Sequence, residues 1–397
     1  MFHFPYGENP MSIDHATRKQ LIHSLEKFVR ERLIPLEAIV EKEDRIPSDV
    51  IEEMKTMGLF GLSIPEKYGG LGFNMLDDVT VNIIFGHTTP PFSTIFGTNI
   101  GIGAQGIVID GTEDQKKKYL PGLATGQILP AAAFTEPDSG SDSASMRLKA
   151  TKTDGGYLLN GAKAWCTFAN RSNCLIVLAR TDPDASKRHK GLSIFFVDKE
   201  PGEKIDHPNI KGEPIPTVGY HGMRSYNLAF EDVFVPEENL LSGEENKGFY
   251  QLMVSYESAR LQTAARAVGV SQAAFDFALQ YSKEREQFGK PICEHQAIRM
   301  KLSEMAVELE AARQLVYYAA SMKDSGKRCD LEAGMAKVKA AKAVEFITRE
   351  AMQILGGYGY SKEFPVERYW RDGRVISIFE GTSEIQHEVI AKSILNK

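Results

Sequence analysis

Asp154-Gly155-Gly156-Tyr157-Leu158-Leu159-Asn160-Gly161 is the stretch on which the reading of the fold turns. Asp-Gly and Asn-Gly pairs accept the positive φ of tight hairpin turns, so each end reads as a hairpin-type turn flanking a short apolar strand. Three further runs follow: Cys174–Leu178, Leu192–Val197 and Tyr226–Phe230, apolar or alternating and punctuated by proline and glycine. Short strands at such intervals predict a compact all-β unit, a small barrel or sandwich, over residues 128–243.

On either side of that unit the period changes from two to about 3.6. Upstream, Ile22, Leu25 and Val29 recur at helical spacing until Pro35 limits or bends the element. Pro47-Ser48-Asp49 reads as a helix start before Val50, Ile51 and Met54, and Pro65–Gly72, with three glycines and a proline, as a loop. Downstream, Leu302, Met305, Leu309, Ala312, Val316 and Ala319 alternate steps of three and four, the seam of a packed helix. Ala340, Val344, Ile347, Ala351 and Ile354 repeat it, and Gly356-Gly357 supplies a C-cap. The chain therefore reads as an α+β multidomain protein. An N-terminal α-helical domain spans 1–127, a central β-barrel or sandwich domain 128–243, and a C-terminal four-helix-bundle domain 244–397.

Composition narrows the function classes. The chain has 397 residues, 42% hydrophobic and 25% charged, enough to bury sizeable cores. Its net charge of −6 lacks the basic footprint that a nucleic-acid binder uses against phosphates. Cys166, Cys174, Cys293 and Cys329 form no C-x-x-C pair, so neither a disulfide scaffold nor a metal site is expected. No apolar run is read as long enough to span a membrane, and the first thirty residues show no leader pattern. A cytoplasmic location is the expectation.

Some motifs mislead. Gly101-Ile102-Gly103-Ala104-Gln105-Gly106 matches the dinucleotide fingerprint, but no βαβ unit surrounds it and the ribose-binding acid is missing, with Pro121 in its place. Small residues permitting close helix packing are the better reading. The histidines are scattered, without H-E-x-x-H spacing, and no G-x-S-x-G elbow occurs.

Three separated segments carry chemistry. Ala133–Asp142 (Ala-Phe-Thr-Glu-Pro-Asp-Ser-Gly-Ser-Asp) offers backbone N–H groups and hydroxyls that suit a phosphate or a ring edge, or simply a hydrogen-bonded loop. Gln353–Tyr360 (Gln-Ile-Leu-Gly-Gly-Tyr-Gly-Tyr) alone is a helix end and a tight turn. Ile378–Gln386 (Ile-Phe-Glu-Gly-Thr-Ser-Glu-Ile-Gln) reads as a capping box, Ser383 with Gln386, opening the last helix. Glu380 then sits before a helix N-terminus, where the dipole favours the anion while Ile378 and Phe379 favour the neutral acid. A carboxylate between those pulls suits a general base.

Taken together these segments resemble the acyl-CoA dehydrogenase family over the full length of the chain. Thr135–Asp142 is similar to its T-E-P-x-x-G-S-D run, and Gln353 through Gly356, Gly357, Gly359, Glu363 and Arg368 to Asp372 to its second signature. Arg285–Lys290 is similar to its R-x-x-F-G-K segment, and Glu380-Gly381-Thr382 to its catalytic E-G-T.

The resemblance implies a non-covalent FAD, an acyl-CoA substrate and a homotetramer built as a dimer of dimers. By position, Phe134, Thr135, Gly140 and Ser141 line the flavin or the thioester, and Trp165 and Thr167 the isoalloxazine, with Cys166 replacing an aliphatic residue. Arg285, Phe288 and Gln296 reach the FAD of the neighbouring subunit; Gln353, Gly356 and Gly357 hold its other end; Thr382 and Glu384 contact it beyond the base. Glu257 and Arg260 meet the thioester arm, and Phe379 and Gly381 flank the substrate. Some relatives keep their base immediately before that arginine, where this chain has Ala259, so the base falls to Glu380. The expected reaction is α,β-dehydrogenation to a trans-2-enoyl-CoA with electrons passing to an electron-transfer flavoprotein. Alternatives are an oxidase or monooxygenase on the same fold, or a non-catalytic acyl-CoA-binding protein. Pro90–Gly101 corresponds by resemblance to the helix along the acyl pocket, and the stretch around it from Thr88 to Val108 has no Lys or Arg. An uncharged, short-to-medium acyl group is expected from that absence. Tyr256–Arg266 and Arg328–Ala336 are similar to methylsuccinyl-CoA dehydrogenases and point the other way.

Overall fold

The computed structural model describes residues 15–395; residues 1–14, part of the stretch expected to lack a leader, lie outside the described residues. The chain opens with α1 (His15–Phe28), which continues through a π turn, Val29–Leu33, and a 3-10 turn, Ile34–Leu36, into α2 (Glu37–Glu43). Pro35 lies at the start of the 3-10 turn, so it redirects the helix rather than ending it. Next come α3 (Ser48–Thr56), α4 (Met75–Phe85), α5 (Pro91–Thr98), a π turn over Asn99–Gly103, α6 (Ala104–Asp110) and α7 (Glu113–Thr125). Pro91–Asp110 is a helical run of 20 residues with mean hydropathy 1.3, long and apolar enough to cross a membrane. That corrects the reading that no run reaches this length. Here the run is mostly buried, with Phe92, Ile95, Phe96 and Ile100 in the N-terminal core.

The central unit is one seven-stranded sheet: β1 (Pro130–Ala133), β2 (Lys149–Thr153), β3 (Gly156–Thr167), β4 (Cys174–Arg180), β5 (Leu192–Asp198), β6 (Ile210–Pro214) and β7 (Ser225–Pro236). The order runs β1-β4-β2-β3-β7-β6, with β5 also paired to β4. The Asp154-Gly155 turn joins β2 to β3 as a hairpin, with Gly155 at φ 72°. Asn160-Gly161 is not a turn: it lies inside β3 at a bulge opposite β7, where the register shifts between Leu159 and Gly161. Asn160 and Asp232 exchange hydrogen bonds of 2.8 and 2.9 Å across that bulge, satisfying groups the ladder leaves unpaired.

β4 is buried at every position because it separates two cores. Leu175, Val177 and Ala179 face the inner core of the sheet, whereas Cys174, Ile176 and Leu178 face a second core completed by Ile107, Tyr119, Leu120, Leu123 and Leu252. A strand covered on both faces reads as a continuous apolar run rather than an alternating one.

The last third begins with α8 (Gly248–Glu284), 37 residues long, then a small hairpin of β8 (Glu286–Gln287) and β9 (Lys290–Pro291). α9 (Gln296–Asp324) and α10 (Asp330–Leu355) pack on α8, and α11 (Val366–Arg374) and α12 (Ser383–Leu395) on α10. Met305, Leu309, Ala312, Val316 and Ala319 are buried as the seam requires, and α4 lends Met75, Leu76, Val79 and Ile83 to the same core. Where α4 meets α8, a Cβ on Gly269 would lie 2.4 Å from both Gly86 Cα and Ile83 O, so neither helix tolerates a side chain at that crossing. Gly101 and Gly103 serve likewise: a Cβ would lie 2.5 Å from Gln262 Oε1 and 2.6 Å from Pro130 Cγ respectively.

Candidate active site

Glu380 lies between α11 and α12, and its backbone sits at φ 52°, followed by Gly381 at φ 87°. A non-glycine residue at positive φ is strained and persists only where its surroundings hold it. Lys337 on α10 does this. Its buried ammonium donates to Phe379 O at 2.7 Å and to Gly381 O, one carbonyl on each side of Glu380. Burial pulls the Lys337 ammonium down to about 8, against the upward pull of the Glu380 carboxylate. Beyond the turn, Thr382 caps α12, its Oγ1 accepting from Ile385 N at 3.3 Å. The cap thus falls one residue before the expected Ser383–Gln386 box, Ile385 at N3 cannot bond back to form a box, and Gln386 reaches Gly381 O at 3.4 Å instead.

The carboxylate faces α8. Thr263 Oγ1 donates to Glu380 Oε2, and Arg266 Nη2 stands 3.7 Å from Oε1 while donating to Thr263 Oγ1 at 2.8 Å. Arg266 Nη1 reaches Thr94 Oγ1 of α5 at 3.4 Å. Thr94 in turn bonds the hydroxyl of Tyr220, whose ring meets Phe379 edge-on at 5.9 Å. Tyr220 arrives from the loop between β6 and β7, itself at φ 64°, with its N–H held by Asp372 of α11 at 2.6 Å. Burial raises the Asp372 carboxyl to about 6. Two turns earlier on α8, Tyr256 is partly buried, and its hydroxyl is pushed up by desolvation and by the charge of Glu380.

Phe379, Glu380 and Gly381 form the Glu380 turn, and Ala259, buried on α8, has no carboxylate. Arg260 lies 3.7 Å from Asp330, with its guanidinium 5.9 Å from the Tyr256 ring. Glu257 turns toward Lys323, 2.7 Å away, and its Oε2 also faces the Cys329 thiol at 3.8 Å.

The second group surrounds Thr135. Glu136 accepts from the N–H groups of Arg147 and Leu148 at 2.7 and 2.9 Å and pairs with the fully buried Lys163 at 2.9 Å. Lys163 also donates to Phe134 O at 2.8 Å, and Ala164 N to Thr135 O at 2.8 Å. This fixes the loop and leaves Gly140 and Ser141 outward. Gly140 has nothing within 4 Å of where a Cβ would stand. Phe134 is buried against Tyr256, rings 6.4 Å apart. Trp165 sits at φ 59° in a β3 bulge and is 57% exposed, while Cys166 points into the sheet core and Thr167 bonds Ser225 at 2.8 Å. An exposed indole beside a rigid, outward loop suits a flat heterocycle.

A third group lies at one end of the bundle. Arg285, Phe288, Gln296, Gln353, Gly356 and Gly357 are all exposed there; at the same end Phe364 meets Tyr281 at 6.3 Å and Tyr358 at 5.4 Å. Glu384 is exposed, its carboxyl held low by its own N–H and by the Thr382 hydroxyl.

Sequence reasoning missed Thr263, Arg266, Tyr220, Lys337 and Lys163. Two had a signal. Arg266 is the lone charge in Leu261–Val270, and Lys337 falls on the apolar stripe three residues before Ala340. α5 has no Lys or Arg of its own, but α8 sets Arg266 against it through Thr94.

Family models match the chain as the acyl-CoA dehydrogenase N-terminal domain (residues 15–127), middle domain (131–233) and C-terminal domain (246–395). The chain is 42% identical over 374 residues to (2S)-methylsuccinyl-CoA dehydrogenase of Cereibacter sphaeroides, covering 93% of this chain and 68% of that protein. It is 38% identical over 385 residues to the caffeyl-CoA reductase–Etf complex subunit CarC of Acetobacterium woodii, covering 96% and 99%. Its structure superposes on butyryl-CoA dehydrogenase of Megasphaera elsdenii with a TM-score of 0.91 at 34% identity, covering 99% and 100%. With all three domains matched in order, the chain belongs to the acyl-CoA dehydrogenase family of flavoprotein oxidoreductases.

Proposed function

We propose that the protein removes hydrogen from the α and β carbons of an acyl-CoA thioester, giving the trans-2-enoyl-CoA, with Glu380 taking the α proton. The observation that carries this is the Glu380 turn: a strained backbone tethered on both sides by Lys337, its carboxylate aimed at α8 by Thr263. An α C–H beside a thioester is weakly acidic, so its removal needs a positioned carboxylate and a donor at the thioester oxygen. The resemblance assigns that second role to the Glu380 backbone N–H.

FAD is the group the outward surfaces fit, through Trp165, Thr167, Thr135, Gly140 and Ser141 on one chain and Arg285, Phe288, Gln296, Gln353, Gly356 and Gly357 on another. Thr382 and Glu384 lie beyond the base. When bound, FAD supplies the hydride acceptor, N5 of its ring. Exposure of the bundle-end residues supports assembly as a homotetramer in which one subunit completes the cofactor site of the next. Similarity to a subunit of an Etf complex supports an electron-transfer flavoprotein as acceptor.

Glu380→Gln tests the assignment. The variant is expected to purify yellow with FAD and to bind acyl-CoA, while flavin bleaching by substrate slows ~10³-fold or more. Bleaching at near the wild-type rate sinks Glu380 as the base. Oxygen consumption matching substrate loss identifies an oxidase instead.

A further inference from the structure

Arg266 is a buried charge beside Glu380 that the proposed mechanism does not use. Its side chain is 3% exposed. Nη1 lies 3.4 Å from Thr94 Oγ1 and 3.1 Å from where a Cβ on Gly97 would stand, so the guanidinium lies against α5, the helix that the resemblance sets along the acyl group. Nη2 donates to Thr263, and Nε has no hydrogen-bond partner among the described residues. A buried guanidinium is stable when its planar fork is filled by carboxylate oxygens. This one is not filled.

Two carboxylates face it. Glu380 stands 3.7 Å from Nη2, too far for a hydrogen bond, with its Oε2 already taken by Thr263. Asp78 of α4 has each oxygen engaged elsewhere, Oδ2 by Gln262 at 2.7 Å and Oδ1 by Asn82 at 2.7 Å, and burial raises its carboxyl to about 7. The Tyr220 hydroxyl, bonded to Thr94, is a neutral neighbour on the same side.

Resting on the acyl-CoA dehydrogenase reading, we infer that Arg266 binds a carboxylate at the far end of the acyl group, so that the substrate is a short dicarboxylic acyl thioester. The length follows from the same geometry. The α carbon must lie within reach of Glu380, and Arg266 is only 3.7 Å from Glu380, which leaves room for one or two further carbons before the distal carboxylate. A four- or five-carbon diacid fits; a longer one overshoots the guanidinium. The charge also keeps that distal carboxylate and the ionised base from repelling each other across the site. The missing cation in α5 therefore does not make the acyl site apolar, since the cation enters from the opposite helix.

The test compares holoenzyme kcat/KM for succinyl-, methylsuccinyl- and glutaryl-CoA with that for butyryl-, isovaleryl- and octanoyl-CoA, in wild type, Arg266→Met and Arg266→Lys. Wild type is expected to prefer a diacid. In Arg266→Met the ratio of diacid to monoacid kcat/KM falls ~10²-fold or more, with the loss in KM, and Arg266→Lys restores part of it. Binding without turnover, measured by calorimetry on Glu380→Gln with and without Arg266→Met, shows the same selective loss for the diacid. A wild-type preference for butyryl-, isovaleryl- or octanoyl-CoA overturns the inference even if the variants do not fold, and leaves the proposed function standing. An unchanged ratio in Arg266→Met also overturns it, because a purely structural role lowers both substrate classes alike. An enzyme inert with every thioester removes the proposed function itself.

Discussion

Lys337 carries an unusual load for a single side chain. It holds a strained turn through two carbonyls, from a position with no solvent exposure. A left-handed non-glycine residue costs roughly 1–2 kcal/mol, which these hydrogen bonds offset. Lys337→Met is therefore expected to let the Glu380 turn relax and to lower kcat by ~10²-fold with little change in KM, read by single-turnover flavin reduction. The same side chain gives stability a pH dependence. The folded-state ammonium titrates at about 8 against 10.5 when unfolded, so from pH 8 to 10.5 the unfolded chain holds a proton that the folded chain has released. Stability at this site accordingly rises with pH across that window, by at most about 3 kcal/mol, and is flat below pH 8. Denaturant unfolding of wild type and Lys337→Met at pH 7, 8, 9 and 10 checks it. The wild-type advantage should grow through the series, and a constant or shrinking difference contradicts the assignment.

At the scale of elements, the crossing of α4 and α8 fixes where Thr263 and Arg266 stand. Gly269 lies one turn beyond Arg266, and a Cβ there meets backbone atoms of α4 that cannot step aside. Gly269→Ala should force the helices apart, lowering unfolding free energy by ~1–3 kcal/mol and loosening the Thr94–Arg266–Glu380 chain. Thermal unfolding and acyl-CoA turnover should fall together; a variant of unchanged stability shows that the crossing has slack. The contrast with the sequence reading is physical. The seams through Leu309 and Val344 were legible because burial repeats with the helical period. Asn160-Gly161 was not, because the same dipeptide makes a turn or a bulge according to what lies across the sheet, here Asp232. The capping residue slipped from Ser383 to Thr382 because the preceding turn, set by Lys337, decides where the helix begins. Arg266 stood plainly in the sequence, but its place in the site depends on which face of a 37-residue helix meets α5. No local pattern states that. Glu380 was legible because a dense run of unusual residues surrounds it, whereas Tyr220 reaches the site from the β unit through a contact with Asp372 that spans 152 residues.

At the scale of the whole molecule, the β unit shares its outer core with the N-terminal helices and the first turns of α8, so the first two-thirds of the chain stand as one packed body. The bundle end is different: its signature residues face outward. Phe288 is the clearest case. It occupies the first of two positive-φ positions, φ 54° followed by Gly289 at 78°, in the two-residue turn between β8 and β9, the pattern of a type I′ hairpin. Asparagine, aspartate and glycine are the residues such a position favours. An aromatic ring there costs stability locally and is left 94% exposed, which makes sense if another surface buries it. Phe288→Asn separates the two demands. The hairpin in the isolated subunit should be no less stable, whereas loss of a ring worth roughly 1.5–3 kcal/mol when buried should weaken FAD retention ~10–100-fold. The ratio of flavin to protein absorbance after gel filtration, with mass by light scattering, reads both cofactor and assembly. Full flavin content and unchanged mass in the variant would place the Phe288 ring in solvent in the assembled protein and remove it from the cofactor site.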